Sequence, residues 1–208
     1  MSINVANPSV IQLYYEFVSD ALEQYHSNLK SSGIDKDSPV YLKQFVTAFQ
    51  GLDQAVDSVR SELDLMFFLS LYASTESTLR SYLYEKLRCD NDNDFENMIR
   101  ISAQDDYSKY YSIDKVLRLF MSHPSFQSDE EPAHSDLQDV VRYMERLKKV
   151  RDWIAHGRYT RLDRFPLPYG NSSPSFNYQV AKSNIFKFIE TAGLDQFGYD
   201  QNLFEPVN

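Results

Sequence analysis

Two residues whose side chains could act on a phosphodiester, Arg151 and His156, lie five positions apart near the end of one predicted helix. Histidine changes charge near neutral pH, so His156 could give or take a proton at a reacting oxygen. Arginine stays charged and could stabilise negative charge on phosphate oxygens. Asp152 lies four residues before His156, so it could orient the imidazole and favour its charged form, as does the carbonyl end of a helix. This chemistry needs no metal ion.

Arg151 stands out because it occupies an apolar helix face. Helical spacing predicts a helix from Ser135 to His156, ended by Gly157, a common C-terminal cap residue. The apolar residues on one side of this helix are Leu137, Val140, Val141, Met144, Leu147, Ile154 and Ala155. Arg151 lies at the centre of that stripe, where a charge without a partner is costly. Its guanidinium must therefore either reach solvent along its stem or meet an acidic partner.

Glu76 is the acidic residue that could be this partner. It lies on a long helix predicted from about Asp53 to Arg88, with Arg80 at the edge of the apolar stripe. The apolar residues of that stripe are Leu65, Leu69, Tyr72, Ala73, Leu79, Leu83 and Leu87. Since Glu76 lies in the middle of it, we expect a buried Glu76–Arg151 ion pair if the two helices are neighbours. Buried pairs stabilise less than apolar residues, so this one is either functional or purely structural.

The segment around this helix end is basic, although the chain is acidic. The whole chain carries a formal net charge of −9, whereas from Arg142 to Arg164 eight basic residues oppose three acidic ones. The negative net charge of the whole chain argues against a broad surface that binds nucleic acid. The local excess is compatible with a narrow phosphate-binding cleft or with a solvated helix face. Its candidate contacts to an RNA backbone are Lys148, Lys149, Arg158 and Tyr159.

Other residues give weaker signals. A second pair with the same spacing, Arg118 and His123, has no acidic neighbour, lacks a following glycine and runs into a proline. The histidines His26, His123 and His134 have no clustered partners in the sequence, and Cys89 is the single cysteine. A disulfide framework and a cysteine-based zinc site are thereby excluded, and we expect neither a metal nor a cofactor.

The sequence predicts a cytoplasmic protein that does not enter a membrane. Its first ten residues lack the basic start and the apolar run of a signal peptide. Its longest apolar run, Leu65 to Leu69, is far short of the roughly 20 residues that a membrane helix needs.

Helices must position the candidate residues, because strand-like alternation is nowhere sustained. Helical spacing predicts further helices at about 8–32, from Ser38-Pro39 to Gly51, at about 94–103 and 112–122, and at about 178–192. The aromatic first helix suits core and dimer contacts. We predict one all-α domain over residues 1–208, a bundle of about five to seven helices with a long central helix. In this domain we expect a loop at 160–176, and residues 123–134 could form a loop insertion.

The segment from Arg151 to Tyr159 resembles the signature of the HEPN superfamily. Members are small all-helical proteins in which an arginine, four further residues and a histidine lie near the end of a core helix. The residue after the arginine is commonly Asn, Asp or His, and here it is Asp152. The four residues that end at Gly157 are also typical of the family. Glu76 fits a broader family tendency toward a polar residue on a preceding core helix.

The resemblance implies a metal-independent endoribonuclease, of the kind found as toxins and in antiviral or abortive-infection systems. Such an enzyme would cleave single-stranded RNA by attack of a ribose 2′-hydroxyl on the adjacent phosphate, which leaves a cyclic phosphate and a 5′-hydroxyl. His156 would be the general acid or base, Arg151 would stabilise the phosphorane, Asp152 would orient the histidine and Glu76 would fix Arg151. The family also implies a homodimer with both motifs in one cleft, and an antitoxin or defence-system partner protein.

Two other functions remain open at the level of the sequence. One is a non-catalytic HEPN-like module that docks a partner protein or senses a nucleotide. The other is a helical structural protein in which Glu76 and Arg151 only fix the register of two helices.

Overall fold

The computed structural model describes residues 8–88, 117, 132–155, 177–192 and 194, and every regular element among them is a helix. The five helices with described bounds are α1 (Pro8–Ser32), α2 (Val40–Ala48), α3 (Leu52–Arg88), α4 (Pro132–Ala155) and α5 (Tyr178–Thr191). The all-α class is therefore confirmed over this part of the chain. The helices predicted at 94–103 and 112–122 lie outside the described residues, as does the loop at 160–176, except that Leu117 is helical and buried.

The ends of the first helices follow the predicted signals. Pro8 begins α1, where a proline loses no hydrogen bond because first-turn N–H groups have no helical partner. Gly33 follows α1 with a φ of +77°, and its N–H donates to the carbonyl of Leu29 at 2.9 Å. Gly51, with a φ of +155°, separates α2 from α3, and its carbonyl accepts from the N–H of Ala55. Both glycines adopt a backbone conformation that other residues rarely take.

The long helix α3 is central, because it contacts each of the other four helices, while α4 also packs against α5. Phe68 and Leu71 are fully buried on α3 although they lie outside the predicted stripe, whereas Ala73 from that stripe is exposed. A helix with four neighbours needs apolar residues on more than one side, so a single stripe describes it incompletely. No helix in the described part of the chain is both long and apolar enough to cross a membrane.

The helix that carries Arg151 differs from its prediction at its start and on its buried face. It begins at Pro132, three residues before the expected cap at Ser135, so the end of the predicted 123–134 loop is helical and the rest lies outside the described residues. Val150 is fully buried, whereas Ala155 is exposed. At about 100° per residue, Val150 shares the face of Leu147 more closely than Ala155 does.

Replacing Leu71 with alanine should reduce the free energy of unfolding by about 2–5 kcal/mol, because the side chain is fully buried in the core and the cavity would not close completely. Met66 on the same helix is 61% exposed, so Met66→Ala should change the free energy of unfolding by no more than about 0.5 kcal/mol. Urea titration followed by circular dichroism measures both. Equal losses would contradict the central position of α3.

Candidate functional site

An ion pair joins α3 to α4, as the opposite charges on their core-facing sides predict. The Nη2 atom of Arg151 donates to the Oε1 atom of Glu76 at 2.6 Å. The Arg151 side chain is 28% exposed and that of Glu76 is 14% exposed. The expected Glu76–Arg151 contact is therefore confirmed, and it lies at the rim of the core rather than in its centre.

Asp152 binds two cations from the same helix. Its Oδ1 atom lies 2.8 Å from Nη1 of Arg151, and its Oδ2 atom accepts a hydrogen bond from Nζ of Lys148, also at 2.8 Å. Together with Glu76 these residues form what we call the charge cluster: Glu76, Lys148, Arg151 and Asp152. It contains two cations and two carboxylates, so it is neutral as a unit, and all four side chains are partly screened from solvent.

The ring of Tyr72 lies beneath the guanidinium of Arg151. The Cζ atom of Arg151 is 5.6 Å from the ring centroid, and Tyr72 itself is fully buried. A cation near an aromatic face is attracted to it, so the ring adds a further restraint. The Nε atom of Arg151 is buried and has no hydrogen-bond partner among the described residues. The Nη edge of the guanidinium thus makes the polar contacts, while the stem and Nε lie against the core.

The environment keeps Arg151 charged. Burial is the largest influence on the pKa of Arg151 and acts to lower it, but the carboxylates of Glu76 and Asp152 and the nearby Tyr72 act in the opposite direction. The net pKa lies above its ordinary value. The guanidinium therefore carries a full positive charge at every pH at which the protein would work.

The predicted site residues divide into three groups. Glu76, Arg151, Asp152 and Lys148 meet in the charge cluster, whereas Lys149 is exposed on α4. The last three predicted residues, His156, Arg158 and Tyr159, lie outside the described residues. His156 directly follows Ala155, the last residue of α4.

The contact between Lys148 and Asp152 was missed in the sequence, although its signal was present. The two residues are four positions apart on one helix, the spacing at which opposite charges meet. The sequence analysis predicts a contact of Lys148 with an RNA backbone and of Asp152 with His156, but no contact between the two. The structure shows that both belong to the environment of Arg151.

Other polar contacts connect helices away from this cluster. Asp53 at the start of α3 lies 2.7 Å from Nζ of Lys30 and accepts from Nε2 of His26 at 2.7 Å, and these two contacts lower the pKa of its carboxyl. His26 therefore has a partner that the sequence did not indicate. Tyr15 donates to Asp64 at 2.9 Å and joins α1 to α3. Within the described ranges no group of three or more His, Cys, Asp or Glu residues could hold a metal ion.

The cluster holds a guanidinium in a fixed orientation, at a partly exposed position in the last turns of α4. Such a group can bind and stabilise an oxyanion, since its charge is permanent and its orientation is set by two carboxylates and a ring. Arginine has five N–H donors, and the two ion pairs leave further donors on its Nη atoms.

No family model, curated protein or solved structure matches the chain.

The Glu76–Arg151 contact should contribute to stability in a way that a double-mutant cycle detects. Glu76→Gln and Arg151→Gln should each reduce the free energy of unfolding by about 1–3 kcal/mol, because each leaves a charge without its main partner. The double variant should lose less than the sum of the single losses, with a coupling of at least about 0.5 kcal/mol.

A matched control for this cycle is the pair of Asp139 and Arg142, which lie on the exposed face of α4 at 3.7 Å. The two single variants and the double variant of this pair should give a coupling energy below about 0.5 kcal/mol, since exposed ion pairs are weak. If the two cycles gave the same coupling energy, the ion pair between α3 and α4 would have no special role in the fold.

Proposed function

We propose that the chain is a metal-independent endoribonuclease of the HEPN type that cleaves single-stranded RNA. The observation that carries this proposal is the restraint on Arg151: two carboxylates and an aromatic ring hold its guanidinium at the end of α4. His156 follows that helix directly. A permanent cation and a side chain that can transfer a proton are the groups that phosphodiester cleavage by a 2′-hydroxyl requires.

This mechanism assigns a role to each residue of the site. His156 moves a proton at the attacking or the leaving oxygen, and Arg151 stabilises the charge on the pentacoordinate phosphorus centre. Glu76 positions Arg151 from the neighbouring helix, and Asp152 holds it from its own helix. Asp152 would also orient His156. Lys148, Lys149, Arg158 and Tyr159 would contact the RNA on either side of the cleaved bond. We further propose a cytoplasmic enzyme with an antitoxin or defence-system partner.

Purified protein should cleave single-stranded RNA in the presence of EDTA and leave cyclic phosphate and 5′-hydroxyl ends. His156→Ala should reduce the cleavage rate by about 10²–10⁴-fold, because proton transfer at the reacting oxygens is lost. Arg151→Ala should reduce it to a comparable degree. A substrate with 2′-deoxyribose at the cleaved position should remain intact. Electrophoresis of end-labelled oligonucleotides measures all of these effects.

The chain contains its own control for these substitutions. Arg118 and His123 have the same spacing as Arg151 and His156 but lack the acidic neighbour and the glycine. Arg118→Ala and His123→Ala should therefore leave the cleavage rate within about twofold of the unaltered protein. If all five proteins leave RNA equally intact, the nuclease proposal should be abandoned.

We also propose that the protein is a homodimer, and the outer face of α1 supports this. That face carries the exposed apolar side chains Leu13, Tyr14, Phe17 and Tyr25, and the aromatic ring of Phe17 is 73% exposed. At about 100° per residue these four side chains lie within a third of the helix circumference, and no charged residue lies between them. An apolar helix face of this kind is suited to pairing with its own copy across a two-fold axis.

Light scattering should give the mass of a dimer at micromolar concentration, and Phe17→Asp should shift it to that of a monomer, because a charge would be buried in the interface. Asp20 on the adjacent face serves as the control, since Asp20→Asn should leave the dimer intact. A monomer for the unaltered protein would exclude a composite cleft.

The second candidate function is a non-catalytic module that docks another protein. The same exposed face of α1 favours it, because an apolar helix surface could bind a different partner as readily as a second copy. This alternative is distinguished by the RNA assay: a docking module shows no cleavage, and Arg151→Ala changes its stability but no enzymatic rate.

A further inference from the structure

The Asp152 carboxylate bridges the two cations of the charge cluster. Each oxygen of the Asp152 carboxylate binds a different cation at 2.8 Å, one being Nη1 of Arg151 and the other Nζ of Lys148. Two acceptor oxygens that bridge an arginine and a lysine are also what a phosphodiester presents with its non-bridging oxygens. The carboxylate therefore lies where a phosphate group would lie if it bound both cations.

We infer that Lys148 and Arg151 form a phosphate subsite whose resting occupant is Asp152, and that a backbone phosphate of single-stranded nucleic acid binds by displacing this carboxylate. The assignment of RNA as the ligand rests on the proposed function. The competition itself does not, since it follows from the two cations and the acid between them.

The two carboxylates of the cluster differ in a way that identifies the one that leaves. Glu76 belongs to the central helix α3 and its side chain is 14% exposed, so it forms the inner support of Arg151. Asp152 is 32% exposed and lies on the same helix as both of its cations. Rotation of one short, partly solvated side chain releases Asp152, whereas release of Glu76 would leave a more buried carboxylate without its cation where α3 packs against α4. Asp152 is therefore the replaceable partner.

Displacement has a consequence for the proposed reaction. While Asp152 is bound, the cluster is neutral, so it presents little net charge to a polyanion. When a phosphate takes its place, Asp152 gives up both cations and the phosphate binds them instead. The resting protein would therefore bind nucleic acid weakly.

The test uses a fluorescent single-stranded oligonucleotide made of 2′-deoxynucleotides, which binds without being cleaved. Asp152→Asn keeps the shape of the side chain but removes its charge, so the full-length variant should bind this probe at least about tenfold more tightly than the unaltered protein. The dependence of affinity on salt should also become steeper, because the cluster of the variant carries one more net positive charge to neutralise phosphate. Fluorescence anisotropy at several salt concentrations measures both quantities.

Two further variants separate local competition from a general change in charge. Asp139→Asn removes the same charge from the same helix, next to Arg142 on the exposed face, and should change the affinity less than about twofold. Adding Lys148→Gln to Asp152→Asn should abolish the gain. Asp152→Ser answers the same question if the asparagine variant unfolds, and thermal melting checks that each variant is folded.

The results distinguish this inference from the proposed function. If Asp152→Asn and Asp152→Ser bind the probe no more tightly than Asp139→Asn, the displacement inference is wrong, even where the unaltered protein cleaves RNA. If Asp152→Asn binds more tightly with a steeper salt dependence but no protein cleaves RNA, the phosphate subsite stands and the nuclease proposal is lost.

Discussion

A positive charge on the core-facing side of α4 is the constraint from which the rest of the site follows. The guanidinium of Arg151 cannot lie against apolar neighbours without a partner, and Glu76 on α3 supplies one at 2.6 Å. That contact fixes which faces of the two helices meet and at what height along their axes. The Tyr72 ring below and the Asp152 carboxylate beside it then remove the remaining freedom of the group.

The arrangement combines rigidity on one side with freedom on the other. Contacts to α3 come from Glu76 and Tyr72, and the packed core supports both. Contacts within α4 come from Asp152 and Lys148, which lie closer to solvent and can change partners without moving a helix. A site that must receive a charged ligand benefits from this division, because orientation is preserved while one contact is exchanged.

Much of the fold could be predicted because helix ends and apolar spacing are local properties. The proline at the start of α1 and the glycines after α1 and α2 indicated boundaries that the structure reproduces. The pairing of Glu76 with Arg151 was predictable too, since each is a charge on an apolar face and their signs are opposite. The spacing of Lys148 and Asp152 allows their contact, but the sequence does not show that Asp152 binds Arg151 at the same time. A carboxylate binds whichever cations surround it in space.

The central position of α3 also has a consequence for synthesis of the chain. Its partners α1 and α2 precede it, whereas α4 follows much later, and 75 positions separate Glu76 from Arg151. At typical rates of translation, Glu76 would wait roughly 4–15 s on the ribosome before its partner is made. The nascent chain can therefore form its first helices without an assembled site. The Glu76–Arg151 ion pair therefore forms only after the end of α4 has been made.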